Sequence, residues 1–203
     1  MGVPAETIQR RVSVSQYLHA EESAEQRHEF HDGEVLAMSG GTYEHSLIGA
    51  NLIIALGRRL TGSPCRVLES NMRVRIARAN RYLYPDASIV CHEPQFDPQD
   101  VKRTTIVNPR IIVEVLSDST EAYDRGMKFN HYRELEALEE YVLVSQARPL
   151  IETFVRQNDK TWLFTTSAGL DGRVALRTVR LELPLAEVYA GVSFPAGNVP
   201  STA

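Results

Sequence analysis

The chain has 203 residues, of which 43% are apolar and 24% charged, as in an ordinary globular domain with a substantial core. No apolar run approaches the ~20 residues that a membrane-spanning helix requires, and residues 1–11 lack the apolar stretch of a signal peptide. The formal net charge of −4 argues against indiscriminate coating of nucleic acid. We therefore expect a cytoplasmic protein that is not inserted in a membrane.

The charges are unevenly distributed along the chain. Residues 58–81, called here the basic segment, contain seven arginines and one acid, Glu69, so they carry +6 and the rest of the chain carries −10. Such a segment can direct a polyanion to one face of an acidic protein, although a solvated basic hairpin without a partner explains it equally well. Arg73 and Arg75 are two apart in a predicted strand and share a face, which makes them the predicted nucleic-acid-binding pair.

Two cysteines, Cys65 and Cys91, lie in apolar, strand-like surroundings. In a cytoplasmic protein this favours two reduced, buried thiols over a disulfide or a metal site.

The N-terminal third predicts two helices separated by a hairpin. Ser13 and Gln16 form a capping-box pattern that begins a short helix ending near Glu22. The elements expected next are a hairpin over His28–Met38 with its turn at Asp32-Gly33, and a long helix that Thr42 caps and that ends near Leu60.

The middle of the chain predicts strands and one further helix. Strand patterns cover Cys65–Glu69, Met72–Ala77, Asp86–Cys91, Arg110–Leu116 and Glu140–Val144. His92–Arg103 is polar and is expected to be a loop. Ser117–Thr120 is a capping cluster that opens a helix from Glu121 to about Leu138. Two or three antiparallel strands are expected within 149–179, followed by a helical turn over Leu185–Tyr189.

This order predicts a mixed α/β (α+β) fold around one central sheet, with flanking helices and an antiparallel C-terminal extension. The strand–helix–strand unit from Arg110 to Val144 predicts a parallel crossover. We expect a single domain over residues 13–190, with flexible termini at 1–12 and 191–203.

Two acidic residues are embedded in apolar, strand-like runs. Asp86 opens one strand and Glu114 lies in the middle of another, where an unpaired carboxylate costs several kcal/mol, in order of magnitude. A metal ion is one of the few partners that repays this cost, and Mg²⁺ accepts one or two carboxylates and keeps its waters. With the Val115 carbonyl as a further ligand and Lys128 on the next helix, these are the minimal parts of a metal-dependent phosphodiester-cleaving site.

The pattern of Pro85-Asp86 followed by Glu114-Val115-Leu116 resembles the PD-(D/E)XK nuclease superfamily. Within it, the segments 27–34, 45–56, 81–88 and 109–120, with Asp124, Lys128 and Tyr132, resemble the Uma-two family of restriction-endonuclease-like proteins over about 13–145. In the superfamily pattern a lysine stands two residues after the second acid, where this chain has Leu116. In the family the next helix supplies the lysine, and Lys128 matches that place.

The resemblance implies a restriction-endonuclease-like core and a Mg²⁺- or Mn²⁺-dependent endonuclease. Asp86 and Glu114 would bind the metal, Lys128 would orient water or stabilise charge, and the substrate would be DNA. A homodimer is the assembly that we expect to accompany this activity.

Other residues are candidates for a second tier of the site, each with an ordinary structural alternative. His45 and Asn51 lie on the long helix and suit capping or core roles. Asp124 and Lys128 are four apart on a helix and suit a surface ion pair, and Tyr132 continues that face and suits packing. Glu34, like Glu29, flanks the hairpin turn and suits a solvated strand position.

Two other functions remain open at this point. One is a catalytically silent nucleic-acid- or protein-binding module on the same fold. The other is a metal-dependent hydrolase of a small phosphate ester, although the chain contains no Gly-rich phosphate loop of the P-loop kind.

Overall fold

The structure is a computed structural model and describes residues 11–158 and 161–194. The predicted flexible termini, 1–12 and 191–203, lie mostly outside these residues. Within the described ranges, no helix is both long enough and apolar enough to cross a membrane.

The helices lie near the N-terminus, in the middle of the chain and near the end of the described residues. The α-helices are α1 (Val14–Glu21), α2 (Tyr43–Leu60), α3 (Glu121–Tyr123), α4 (Phe129–Tyr132) and α5 (Leu185–Val188). A π-helical segment, Asp124–Lys128, joins α3 directly to α4, and a 3-10 turn spans Arg177–Val179. We refer to residues 121–132 together as the site helix.

The strands are β1 (His28–His31), β2 (Glu34–Ala37), β3 (Cys65–Glu69), β4 (Arg73–Ile76), β5 (Arg81–Leu83), β6 (Ala87–Cys91) and β7 (Thr105–Ile106). They continue with β8 (Ile111–Leu116), β9 (Glu140–Ser145), β10 (Leu150–Arg156), β11 (Trp162–Ala168), β12 (Arg173–Leu176) and β13 (Leu181–Pro184).

Local signals set the first elements as the sequence predicts. Ser13 and Gln16 form the capping box of α1, and the Thr42 side chain accepts a hydrogen bond from the His45 backbone N–H at the start of α2. Asp32 and Gly33 have positive φ angles of 48° and 98°, as a two-residue hairpin turn requires.

A mixed sheet of six strands forms the centre, in the order β11-β10-β9-β8-β6-β3. Strands β8 and β9 are parallel and the site helix connects them, so the predicted crossover is confirmed. All six residues of β8 are buried, which explains why its sequence is nearly continuous in Ile and Val.

The expectation of a single sheet is wrong. A second sheet has the order β2-β1-β5-β4-β7, and β12 and β13 form a separate two-stranded sheet whose side chains pack into the main core. The sequence does not reveal this arrangement, because β5 has only three residues and is too short to give a strand pattern between the turn before it and Pro85. Its pairing with β1 binds the N-terminal hairpin to the body of the protein.

The predicted helix from Glu121 to Leu138 ends early, at Tyr132. Leu135 and Leu138 are nevertheless buried in the core, from a turn. The Arg156 guanidinium donates hydrogen bonds to the carbonyl oxygens of Arg133, Leu135 and Leu138. Because Arg156 satisfies these carbonyls, the chain can leave the helix without burying unpaired backbone groups.

The expectation of two reduced thiols is also wrong, because Cys65 and Cys91 form a disulfide. They stand directly opposite each other in the antiparallel pair β3–β6. A separation of 26 residues hides this register from sequence reasoning.

Candidate active site

A cleft of about 420 Å³ opens between the N-terminal hairpin, the start of α2, the beginnings of β6 and of the site helix, and the end of β8. The predicted metal ligands Asp86, Glu114 and Val115 line it together with Lys128 and the second-tier candidate Asp124. A larger surface hollow, about 740 Å³, contains none of them and is lined largely by charged side chains.

Asp86 lies immediately before β6, and a backbone group holds its side chain. Its Oδ2 accepts a hydrogen bond of 2.6 Å from the Val115 N–H. The His45 Nε2 lies 3.4 Å from the same oxygen. One oxygen of Asp86 is thus fixed between β8 and α2.

Glu114 lies in the middle of β8 and is only 3% exposed. Its Oε1 is 2.8 Å from the Lys128 Nζ and accepts a hydrogen bond of 3.0 Å from the Tyr132 hydroxyl. Glu114 and Lys128 therefore form a buried ion pair.

The two carboxylates share one geometric property. Among the described residues, none donates a hydrogen bond to Oδ1 of Asp86 or to Oε2 of Glu114, whereas the other oxygen of each is held. Each carboxylate is therefore fixed by one oxygen and retains a second one for a ligand in the cleft.

Lys128 lies in the π-helical segment and contacts three acids. Besides Glu114, Asp124 Oδ1 is 3.4 Å and Glu29 Oε1 is 3.7 Å from its Nζ. Burial opposes the charge on Lys128, but Glu114 and the other acids outweigh it and hold its pKa above the usual range. The lysine is therefore a fixed positive charge.

Burial raises the pKa of Glu114 well above its usual range, and the nearby acids Asp124 and Asp86 reinforce this shift against the opposing effect of Lys128. Burial likewise raises the pKa of Asp124. The cleft thus has more carboxylates than its one lysine can neutralise, and a cation would relieve their mutual repulsion.

Glu29 is the site residue that sequence reasoning missed. Its predicted solvated position is wrong, because Glu29 is buried and accepts hydrogen bonds from the Tyr84 N–H and, at 3.0 Å, the His31 ring. Burial opposes its ionisation, but Lys128 and the hydrogen bonds outweigh burial and lower the pKa of Glu29. No neighbouring residue signals this burial, which depends on the pairing of β1 with β5.

The second-tier candidates divide into two groups. His45, Asp124 and Tyr132 contact the acids or the lysine, and the hydrogen bond to Asp86 raises the pKa of His45. The predicted surface pair of Asp124 and Lys128 is buried instead. Asn51 binds the carbonyl oxygens of Val188 and Ala190 and so links α2 to the chain after α5, whereas Glu34 is solvent-exposed and outside the cleft.

The predicted nucleic-acid-binding arginines are buried away from the cleft. Arg73 forms an ion pair with Asp100 and lies over the ring of Tyr84, and Arg75 lies 4.4 Å from the centroid of Tyr82. These contacts favour a packing role for Arg73 and Arg75 over contact with a polyanion.

Comparison with known proteins defines the class of this fold. A putative nuclease belonging to DUF820 from Anabaena variabilis superposes with a TM-score of 0.70 over 88% of this chain and 97% of its own, at 12% sequence identity. At this identity the likeness concerns the fold, which is the expected nuclease-like one.

The chain belongs to the Uma2 family, described as "Putative restriction endonuclease", whose model matches residues 14–186. The Synechocystis protein slr1290, described as uncharacterized, is 35% identical over 91% of this chain and 94% of its own length. A second uncharacterized Synechocystis protein, sll1609, is 30% identical over 84% and 95%. Family and fold together indicate a restriction-endonuclease-like nuclease, as predicted from the sequence.

Proposed function

We propose that this protein is a divalent-metal-dependent endonuclease that hydrolyses phosphodiester bonds in DNA, with Mg²⁺ or Mn²⁺ bound by Asp86 and Glu114. The observation that carries the proposal is a pair of oxygens, Oδ1 of Asp86 and Oε2 of Glu114, that accept no hydrogen bond from a described residue and belong to carboxylates lining one cleft. Such oxygens are the hard ligands that these cations prefer.

The donor set fits a hydrated cation. In the described ranges, no three His, Cys, Asp or Glu side chains form a ready-made cage for an ion. Mg²⁺ needs no such cage, because it is usually held by one or two carboxylates and retains several waters. The Val115 carbonyl is a candidate third ligand, because its residue lines the cleft and its N–H fixes Asp86.

A bound divalent ion would supply charge stabilisation at the phosphate and a bound water of lowered pKa. The remaining chemistry belongs to the chain. Lys128, held charged by acids, would stabilise negative charge on the phosphate or orient the attacking water. His45 would keep Asp86 oriented, and Tyr132 would do the same for Glu114.

A second function, a silent binding module on this fold, is favoured by one observation. Lys128 already forms a 2.8 Å ion pair with Glu114, and both side chains are buried. A purely structural ion pair has the same appearance, since a buried charge requires a partner. The two functions differ in whether Glu114 and Lys128 are needed for catalysis or only for folding.

Plasmid nicking with the purified protein distinguishes them. We expect nicking in Mg²⁺ or Mn²⁺, none in EDTA, and none from Glu114→Gln or Asp86→Asn. Glu34→Gln is the matched control, because it removes an exposed acid outside the cleft. Cleavage by Glu114→Gln at the wild-type rate would contradict the proposal, and a folded wild type without cleavage would favour the binding module.

Three further expectations stay predictions. They are a single domain over residues 13–190, a homodimer and a cytoplasmic location. Analytical ultracentrifugation of the full chain tests the dimer directly.

A further inference from the structure

The basic segment contains an arginine, Arg81, that forms no ion pair with a described residue and lies beside the cleft. Four of its arginines are accounted for within the protein, as ion pairs to acids or as buried packing: Arg59 with Glu187, Arg73 with Asp100, Arg75 over Tyr82 and Arg78 with Glu136. Arg81 forms no ion pair with any described residue. Asp32, the acid that follows His31, is already bound by Arg11 and Asn80.

The fold directs Arg81 toward the cleft side of the second sheet. Arg81 on β5 is directly opposite His31 on β1, so the two side chains lie on the same face. The His31 ring stacks on Tyr123 of the site helix at a centroid distance of 6.1 Å, and both rings line the cleft. Arg81 therefore adjoins the cleft through His31.

Unsatisfied polar atoms are concentrated at this position. Arg81 Nε, the Tyr123 hydroxyl and His131 Nε2 are shielded from solvent and have no hydrogen-bond partner among the described residues. Such groups destabilise the folded protein when they stay unpaired. Arg81 Nε and the Tyr123 hydroxyl can both donate a hydrogen bond, so an acceptor is the partner that both lack.

The electrostatics point the same way. Burial, together with the positive neighbours Arg81 and His31, lowers the pKa of His131. Burial raises the pKa of Tyr123 to about 12, so the hydroxyl keeps its proton at neutral pH. The position thus combines an arginine that forms no ion pair with donors that lack an acceptor.

We propose that Arg81, Tyr123 and His131, with His31 beside them, form a phosphate-binding subsite next to the cleft. Its ligand is a phosphate group of the nucleic-acid strand, adjacent to the one at the metal. The inference rests on the proposed function for the identity of the strand, but the subsite itself does not depend on catalysis. The guanidinium would bind two phosphate oxygens and the tyrosine hydroxyl would donate to a third or to the ester oxygen.

The test is fluorescence anisotropy with a short labelled DNA strand in EDTA, which prevents cleavage. Arg81→Gln should weaken binding roughly tenfold, and the slope of log affinity against log salt should fall by about one. Arg81→Lys should keep the slope with intermediate affinity, since it retains the charge but loses the planar fork. Arg58 is an exposed arginine of the same segment, at the end of α2 that lies away from the cleft. The control variant Arg58→Gln should bind as the wild type does.

A second variant keeps the test decisive if Arg81→Gln misfolds. Tyr123→Phe removes only the unpartnered hydroxyl and should weaken binding roughly threefold without lowering the melting temperature. Wild-type affinity in a folded Arg81→Gln protein, or in Tyr123→Phe, would overturn the proposal.

Inorganic phosphate at millimolar concentration separates the two sources of the ligand. If phosphate competes with DNA for the wild type but not for Arg81→Gln, the subsite binds anions, and its ligand is a free phosphate rather than the strand. No competition, with DNA binding still dependent on Arg81, supports the strand. If Arg81→Gln loses DNA binding and the wild type does not cleave DNA, the subsite is supported and the endonuclease is rejected. If the wild type cleaves DNA and Arg81→Gln binds it normally, the endonuclease is supported and the subsite is rejected.

Discussion

Glu29 Oε1 lies 3.7 Å from the Nζ of Lys128, so the N-terminal hairpin supplies a counter-ion to the lysine of the site helix. The backbone N–H of Tyr84 and the His31 ring hold Glu29 in place. If a cation bound Glu114, then Glu29 and Asp124 would still neutralise the charge of Lys128. The hairpin is therefore part of the site as well as of the fold.

Glu29→Gln should lower the free energy of unfolding by about 1–3 kcal/mol, because it leaves a buried ammonium with one fewer counter-charge. Urea unfolding at neutral pH measures the change. Glu34→Gln, on the exposed side of the same hairpin, should stay within about 0.5 kcal/mol of the wild type. Equal effects of the two substitutions would show that Glu29 makes no special contribution.

Mg²⁺ or Mn²⁺ should raise the melting temperature of the wild type, because a cation that binds only the folded protein stabilises it by linkage. At a concentration a hundred times the dissociation constant, the gain is about 2.7 kcal/mol. Asp86→Asn and Glu114→Gln should lose the shift, as differential scanning fluorimetry would show. A wild type that melts at the same temperature with and without millimolar metal has no such site.

Lys128→Met should abolish nicking but preserve the metal-dependent shift, because the lysine acts on phosphate or water and is not itself a ligand. Removing a buried charge that faces three acids also costs stability, so the activity is to be measured well below the melting temperature. Isothermal titration with Mn²⁺ gives the affinity. Loss of metal binding together with activity would mean that Lys128 acts by holding Glu114 in position.

Asp100→Asn should destabilise the protein at neutral pH by about 3–5 kcal/mol, because Arg73 would keep its buried charge without its ion-pair partner. Burial opposes ionisation of Asp100, but hydrogen bonds from Thr104 and the charge of Arg73 outweigh it and lower the pKa of Asp100. Its stabilisation is therefore complete above the unfolded pKa, near ~3.9, and is lost as pH falls through the lower folded pKa. The difference in unfolding free energy between wild type and variant should be largest at neutral pH and should disappear at acidic pH. A difference that does not change with pH would contradict this.

Reduction of the disulfide between Cys65 and Cys91 should cost about 3.5 kcal/mol, the loop-closure value for a separation of 26 residues. Urea unfolding with and without a reductant measures it. A variant with both cysteines replaced by serine, which should not respond to the reductant, is the control. No response in the wild type would indicate that the two thiols are free in solution.

The sequence predicted the elements whose signals are local. The caps at Ser13 and Thr42, strand β3 and the buried run of β8 all follow from neighbouring residues. The predicted cluster of Asp86, Glu114 and Lys128 follows from a motif together with the expense of an acid in an apolar strand.

What the sequence could not predict depends on pairing between distant segments. Glu29 becomes buried only because β5 pairs with β1 under the site helix, and no neighbour of Glu29 in the chain indicates this. Arg73 and Arg75 carry charges that suggest a surface, yet aromatic rings and Asp100 bury them. The disulfide likewise depends on the register of two strands.

The π-helical segment Asp124–Lys128 has a consequence for how this protein can evolve. The wide turn that follows Asp124 determines the angle at which the side chains of Lys128 and Tyr132 approach Glu114. Because a π-helical turn contains one residue more than an α-helical turn, winding the same residues as regular α-helix would turn Tyr132 away from Glu114 by about 100°. The segment should therefore tolerate substitutions at its exposed positions but not a change of its winding.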